Sequence, residues 1–320
     1  MGGGRGGGVG TVRPMTVIVR DFRPADAEDW VRIRRAALPY MVITPEQAVF
    51  ELTGAPAGRR YRMLVAEEDG EVIGTAQVGL NHESPEPGQG FCNPYTHPER
   101  TGRGAGSLLL RTAEEYLALA GAVSVHTWVL DTPDNLAFAA KHGYTASRPA
   151  HFLHLDLANG PLPPRQKAPD GVELRTAADF ADDPRPLFEA DAEATADEPS
   201  DTPARLDDYE EWLTETWRDP GLDHRLTSVV VAGGEVAAFS AARTDGVDRY
   251  WSGMTGTRRA HRGRGLAKLA KNDSLHRARA AGYTDAYTGN DAGNGPMLAV
   301  NRWFGYEICA TEVRHVRRLG

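Results

Sequence analysis

Cysteine is almost missing from this chain: Cys92 and Cys309 are its only two among 320 residues. Two isolated thiols cannot build a disulfide framework, and a reducing cytoplasmic setting suits them. No apolar run approaches the roughly 20 residues that a membrane-spanning helix needs, so no membrane contact is expected. The opening segment "MGGGRGGGVGTVRP" (1–14) lacks the apolar core of a secretion signal and reads as a disordered glycine-rich tail. Positive charge is in deficit. Lysine and arginine number 36 against 44 aspartates and glutamates, a formal net charge of −8, which excludes nucleic acid as the main partner. Familiar site signatures are missing too. There is no Gly-x-x-x-x-Gly-Lys-Ser/Thr phosphate loop, no His-Glu-x-x-His or Cys-x-x-Cys metal set, and no Gly-x-Ser-x-Gly elbow. "GRGAG" (102–106) has the wrong spacing for a dinucleotide fingerprint, and "GRGLA" (263–267) lacks its third glycine. No metal is expected.

What the chain does have is a copy of itself. "TGRGAGSLLLRTAEEYLALAGAVSVHTW" from Thr101 aligns with "RGRGLAKLAKNDSLHRARAAGYTDAYTG" from Arg262, so Gly104 falls on Gly265 and Gly121 on Gly282. One residue of slip later, "KHGY" ending at Tyr144 falls on "WFGY" ending at Tyr306. Upstream, "LVAEEDGEVIGTAQV" (64–78) resembles "SVVVAGGEVAAFSAA" (228–242). Between the copies, "ANGPLPPRQKAPDG" (158–171) is rich in proline and glycine and marks a linker. The expected organisation is a tail at 1–14, a first domain at 15–157, the linker, and a second domain at 172–320.

Period-2 and period-3.6 stretches alternate in each half, which predicts an α/β (α+β) fold: a mixed sheet covered by helices. A helix is expected after Gly265. Leu266, Leu269, Ala270, Ser274 and Ala278 would form its inward side, with Lys268, Lys271 and Arg277 outward. Glycines ahead of a helix bare their backbone N–H groups, and the helix start adds about half a unit of positive charge. That pairing suits a phosphate.

"RGRGLA" (262–267) matches Arg/Gln-x-x-Gly-x-Gly/Ala, the pyrophosphate motif of the GCN5-related N-acetyltransferases (GNAT). The chain resembles a tandem pair of such domains, each with a mixed, mostly antiparallel sheet flanked by helices. The resemblance implies acetyl-CoA as co-substrate. It implies that the strand at Met254, Thr255, Gly256 and Thr257 splays open to receive the pantetheine arm. The pyrophosphate donors would be Arg262, Gly263, Arg264, Gly265, Leu266 and Ala267. Arg262 and Arg264 would add charge-assisted contacts, with Arg264 the one that can instead salt-bridge the preceding loop. Asn294 falls where relatives bind pantetheine amides, and it can equally cap a helix. Asn301 stands where many relatives carry a tyrosine that protonates the departing thiolate. Asparagine gives up no proton, so that role is vacant or passes to another group, with Tyr306 and Tyr287 as candidates.

The first half departs from the motif. Thr101 stands in place of Arg262, and Pro94, which has no N–H, in place of Thr255. The first half is therefore expected to be structural or to bind coenzyme without turnover. For proton removal from an amine the candidate carboxylates lie in "DAEATADEPSDTP" (191–203) and "RTDGVDRYW" (243–251), with Glu198, Asp201 and Asp248 singled out. The acidity of 179–219 suits a cationic acceptor or else a solvated helix face. The resemblance implies transfer of acetyl to a primary amine of a small molecule or peptide, by a monomer or homodimer. The alternative is a non-catalytic acyl-CoA sensor or scaffold.

Overall fold

The computed structural model describes residues 16–198 and 205–320. The glycine-rich segment 1–14 and Asp201 lie outside the described residues. Each half begins with a short strand, β1 (Val17–Asp21) and β7 (Val172–Thr176). Two helical segments follow each one: α1 (Ala27–Ala37) with α2 (Pro45–Gly54), and α5 (Arg185–Ala196) with α6 (Tyr209–Trp212), whose last turn runs on as a π-helix to Trp217. Next come the hairpins β2 (Arg62–Glu68)–β3 (Glu71–Leu80) and β8 (Ser228–Ala232)–β9 (Glu235–Thr244). Each turns on two residues of positive φ, Asp69–Gly70 and Gly233–Gly234, the backbone that matches the twist of paired strands.

The hairpins lead to β4 (Gln89–Thr96) and β10 (Arg249–Thr257), then to the helices α3 (Ala105–Leu119) and α7 (Leu266–Ala280). β5 (Ser124–Leu130), α4 (Pro133–Lys141) and β6 (Thr145–Asp156) complete the first half. β11 (Asp285–Asp291), α8 (Gly295–Trp303) and β12 (Glu307–Arg318) complete the second.

All twelve strands form one sheet in the order β1-β2-β3-β4-β5-β12-β6-β11-β10-β9-β8-β7. The halves have exchanged their last strands: β12 pairs with β5 of the first half, and β6 pairs with β11 of the second. β12 and β6 pair with each other at the centre. The exchange extends into the core, where Leu153, Leu155 and Leu157 join Tyr250, Leu275, Leu298 and Phe304. Every neighbouring pair is antiparallel except β4–β5 and β10–β11.

The linker is strapped to α7. Buried Asn272 accepts the Gln166 N–H at 2.7 Å and donates to the Pro163 and Pro164 carbonyls at 3.4 and 3.3 Å. Arg165 pairs with the buried Asp273 at 2.5 Å. α7 therefore buries more than its apolar stripe. Lys271, expected to face outward, is 1% exposed, which corrects the helical-face reading. Among the described residues no helix is long and apolar enough to cross a membrane.

Candidate active site

Both halves open at the same place. Parallel pairing of β4 with β5 ends at Phe91–His126, and that of β10 with β11 ends at Trp251–Tyr287. Beyond these points the strands part, and side chains take up some of the polar groups the ladder leaves. Asn93 Oδ1 accepts the Trp128 N–H at 3.0 Å, and Thr288 Oγ1 donates to the Ser252 carbonyl at 2.9 Å. On β10 the register with β9 also shifts between Ser252 and Thr255.

The loops after the two splayed strands share one backbone shape. Thr101 and Arg262 have φ/ψ of −68°/164° and −65°/161°. Gly104 and Gly265 are left-handed at φ 86° and 75°, and a Cβ at either would meet nothing within 4 Å. Each loop feeds a 15-residue helix with no side-chain cap on its first turn. Bare N–H groups and a helix start thus face open space, as an anion requires.

Around the second-half loop, the expected residues take distinct positions. Arg262 donates from Nε to the Thr257 carbonyl at 3.1 Å and pairs with Asp197 beyond α5, as does Arg259. These two guanidiniums hold the Asp197 carboxyl down at about 2. Arg262 thus ties the loop to α5. Arg264 is exposed beside His261, its Nη1 3.1 Å from Nδ1. Gly263 and Gly265 lie bare, Leu266 roots the helix in the core and Ala267 is half-buried. On β10, Thr255 Oγ1 lies 3.0 Å from Ser240 Oγ, and a Cβ on Gly256 would come within 2.5 Å of Ala194 Cβ. Only glycine lets α5 lie this close to the strand. Met254 packs with the residues under α5.

Two expectations, Asp248 and Tyr287, need correction. Asp248 is exposed and precedes the Arg249–Asp285 pair, so it sits at the zipped end of β10, the strand's length away from Thr257. Tyr287 belongs to that end too, packed against His154. Tyr306 is 2% exposed in the core, with its hydroxyl unpartnered among the described residues and its pKa raised by burial. Asn294 caps α8, its Oδ1 accepting the Met297 N–H at 3.2 Å. Glu198 follows α5 and is exposed, its carboxyl pushed up by desolvation and by the charges of Asp191 and Asp291.

The first half carries a cleft of about 660 Å³ between its splayed strands, bordered by Tyr95, Thr96, Gly102, Gly104 and Trp128. Leu110, Val129, Ala139 and Tyr144 also line it. The internal repeat places Lys271, Asn290, Asn301 and Tyr306 at the matching positions of the second half. The first-half floor is thus mostly apolar, and the matching positions of the second half carry an amine and two amides. Lys271 Nζ donates to Asn301 Oδ1 at 2.5 Å, and Asn301 Nδ2 donates to Asn290 Oδ1. Burial pushes the Lys271 amine down to about 7.

A second cavity, of about 490 Å³, lies between the halves. Gly253 and Met254 of the splayed β10 and Asp191 and Thr195 of α5 border it on one side, and Phe50, Glu51, Tyr61 and Gln77 of the first half on the other. Glu83, Glu215 and Asp219 add carboxylates, against the guanidiniums of Arg59 and Arg243. The sequence pointed to the acidic stretch but not to Asp191 within it. Asp191 Oδ2 accepts the Trp212 indole N–H at 2.8 Å, and burial raises its carboxyl to about 6. Glu51, desolvated as well, is held by Gln77 at 2.6 Å. In an adjoining recess, ligand atoms of His82, Glu83, Glu211 and Glu215 converge within 4.8 Å. His82 already pairs with Glu211 at 2.6 Å and Arg59 with Glu215 at 2.8 Å, so we assign no ion there.

The segment after α1 is fixed against the other half. After α1, Tyr40 stacks on Phe152 at 4.2 Å, and Arg249 holds the Pro39 and Met41 carbonyls at 2.7 and 3.2 Å.

Comparison with known proteins bears on the family and the fold. The model of the acetyltransferase (GNAT) family matches residues 27–144 and again 186–306. A mycothiol acetyltransferase of Nocardia farcinica is 30% identical, the match covering 88% of this chain and 90% of that protein. Another from Nocardiopsis dassonvillei is 28% identical over 82% of this chain and 83% of its own. Among solved structures, a tandem GNAT protein from the clavulanic acid biosynthesis pathway superposes with a TM-score of 0.71 at 21% identity, covering 95% of this chain and 99% of that one. A GCN5-related N-acetyltransferase from Sphaerobacter thermophilus gives 0.69 at 24%, covering 95% and 96%.

Proposed function

The chain belongs to the GNAT acetyltransferase family, and from that premise we propose that it is an acetyl-CoA-dependent N-acetyltransferase whose second half, 172–320, does the chemistry on a small cationic amine. The observation that carries this reading is the inter-half cavity, where the splayed strand at Gly253 and Met254 meets Asp191. A thioester seated along β10 would present its carbonyl to that cavity. Five carboxylates against two guanidiniums favour a cation there. The relatives' shared name, mycothiol acetyltransferase, supports acetyl transfer.

An alkyl ammonium must become neutral before it attacks, at a cost of roughly 4–5 kcal/mol at pH 7. Asp191 is the base we assign to that proton: a carboxyl near 6 is ionised at neutral pH and still basic enough to accept one. Main-chain N–H groups around the register shift of Ser252–Thr255 are available to the developing oxyanion. Arg262 steadies the loop through Asp197, and the bare amides of 263–267 hold the diphosphate. The first half, 15–157, keeps the loop and the cleft but has a mostly apolar floor. For it we propose coenzyme retention without turnover.

Thiol release with acetyl-CoA and a panel of mono- and polyamines tests the reading. Turnover with at least one amine is the expected result. Tight coenzyme binding with no turnover on any amine would instead make the protein a sensor.

A further inference from the structure

Lys271 is the charged group that the sequence placed in solvent and the structure buries. It sits in the floor position where the first half has Leu110, beside Asn301. A buried ammonium is costly, and no carboxylate pairs with Lys271 among the described residues to offset it. Its surroundings are Asn301 from α8, Asn290 of β11 behind that amide, and the ring of Tyr306 at 5.0 Å, with Tyr250 of β10 beyond. A leucine serves the same spot in the repeat, so packing alone does not call for lysine.

We propose that Lys271 is the acid of the transfer reaction, giving its proton to the coenzyme sulfur as the carbon–sulfur bond breaks. The inference rests on the assignment of the chemistry to the second half. In the step, the acceptor ammonium has given a first proton through Asp191 to solvent, and the neutral nitrogen has formed its bond to the thioester carbon and lost a second proton to Asp191. The oxyanion then re-forms the carbonyl, the electron pair of the carbon–sulfur bond passes to sulfur, and a Lys271 N–H proton joins it as the thiol. Lys271 is left neutral and takes a proton back from solvent, Asp191 releases its second proton there, and one proton is freed net per turnover. Asn301 positions the amine by accepting one of its three hydrogens, which leaves the others for the sulfur. An amine near 7 is close to evenly divided between its two forms at neutral pH, the condition under which an acid both gives and regains a proton readily.

The test combines lysine ¹³Cε NMR of the full-length protein with kinetics. The Lys271 resonance, assigned by its loss in Lys271→Met, should titrate near pH 7 and shift on adding acetyl-CoA. Lys271→Met should fold with a raised thermal midpoint, bind acetyl-CoA nearly as wild type, and lose about 10²-fold or more in kcat together with the alkaline limb of the pH profile. Lys271→Arg should stay equally slow, because a guanidinium keeps the charge but not a usable proton. Rescue by arginine, or Lys271→Met turning over normally while acetyl-CoA still shifts the wild-type lysine, overturns the lysine assignment alone. A Lys271 resonance indifferent to acetyl-CoA in a protein that turns over would remove the second half as the site, and this inference with it.

Discussion

At the residue scale, two desolvated ionisable groups face opposite demands. Asp191 must be ionised to accept a proton, so activity should fall as pH drops through about 6. Asp191→Asn should lower kcat/KM by about 10²–10⁴ and erase that acid limb, read from pH–rate profiles with a fixed amine. Gly256 makes a steric prediction. A valine there would push Ala194 away from the strand and carry Asp191, one turn earlier on α5, out of the cavity wall. Gly256→Val should raise KM for the amine while coenzyme binding, measured by calorimetry, changes less. Neither Asp191 nor Lys271 was legible as a single residue. Asp191 was one acid in an acidic stretch, and Lys271 was given to solvent because a helical wheel assumes that lysine faces water. Which faces of α7 are covered depends on the linker and α8, which the local spacing does not report.

At the element scale, the glycine loop was legible because its cause is local. Positive φ at Gly263 and Gly265 and the apolar spacing of Leu266, Leu269 and Ala270 depend on neighbours in sequence. The exchange of β6 and β12 was not. Each terminal strand has a pattern that suits either sheet, and the partner is decided by contacts more than a hundred residues away, such as Tyr287 with His154. The strap across α7 predicts a stability effect. Asn272→Ala leaves the Gln166 N–H and two proline carbonyls without their buried partner, and should cost about 1–3 kcal/mol in urea unfolding. No effect on the urea midpoint would mean that the linker is not held by α7.

At the scale of the whole molecule, the two halves share one sheet and one central core. Residues 172–320 expressed alone lack β6 and the leucines it brings to the second-half core. That fragment should show no cooperative thermal transition, and co-expression with residues 1–171 should restore one. An acidic cavity walled by both halves also predicts that KM for a cationic amine rises with salt, since screening weakens the attraction.

The most direct measurement is thiol release by a matched pair of variants, Gly104→Glu and Gly265→Glu. Each sets a carboxylate where one loop would hold a diphosphate, at a position where a Cβ meets nothing within 4 Å and where the left-handed backbone strains both substitutions alike. Loss of turnover in Gly265→Glu, with Gly104→Glu still active, is the predicted result. Turnover that survives in Gly265→Glu and vanishes in Gly104→Glu would move the chemistry to the first half and contradict the account.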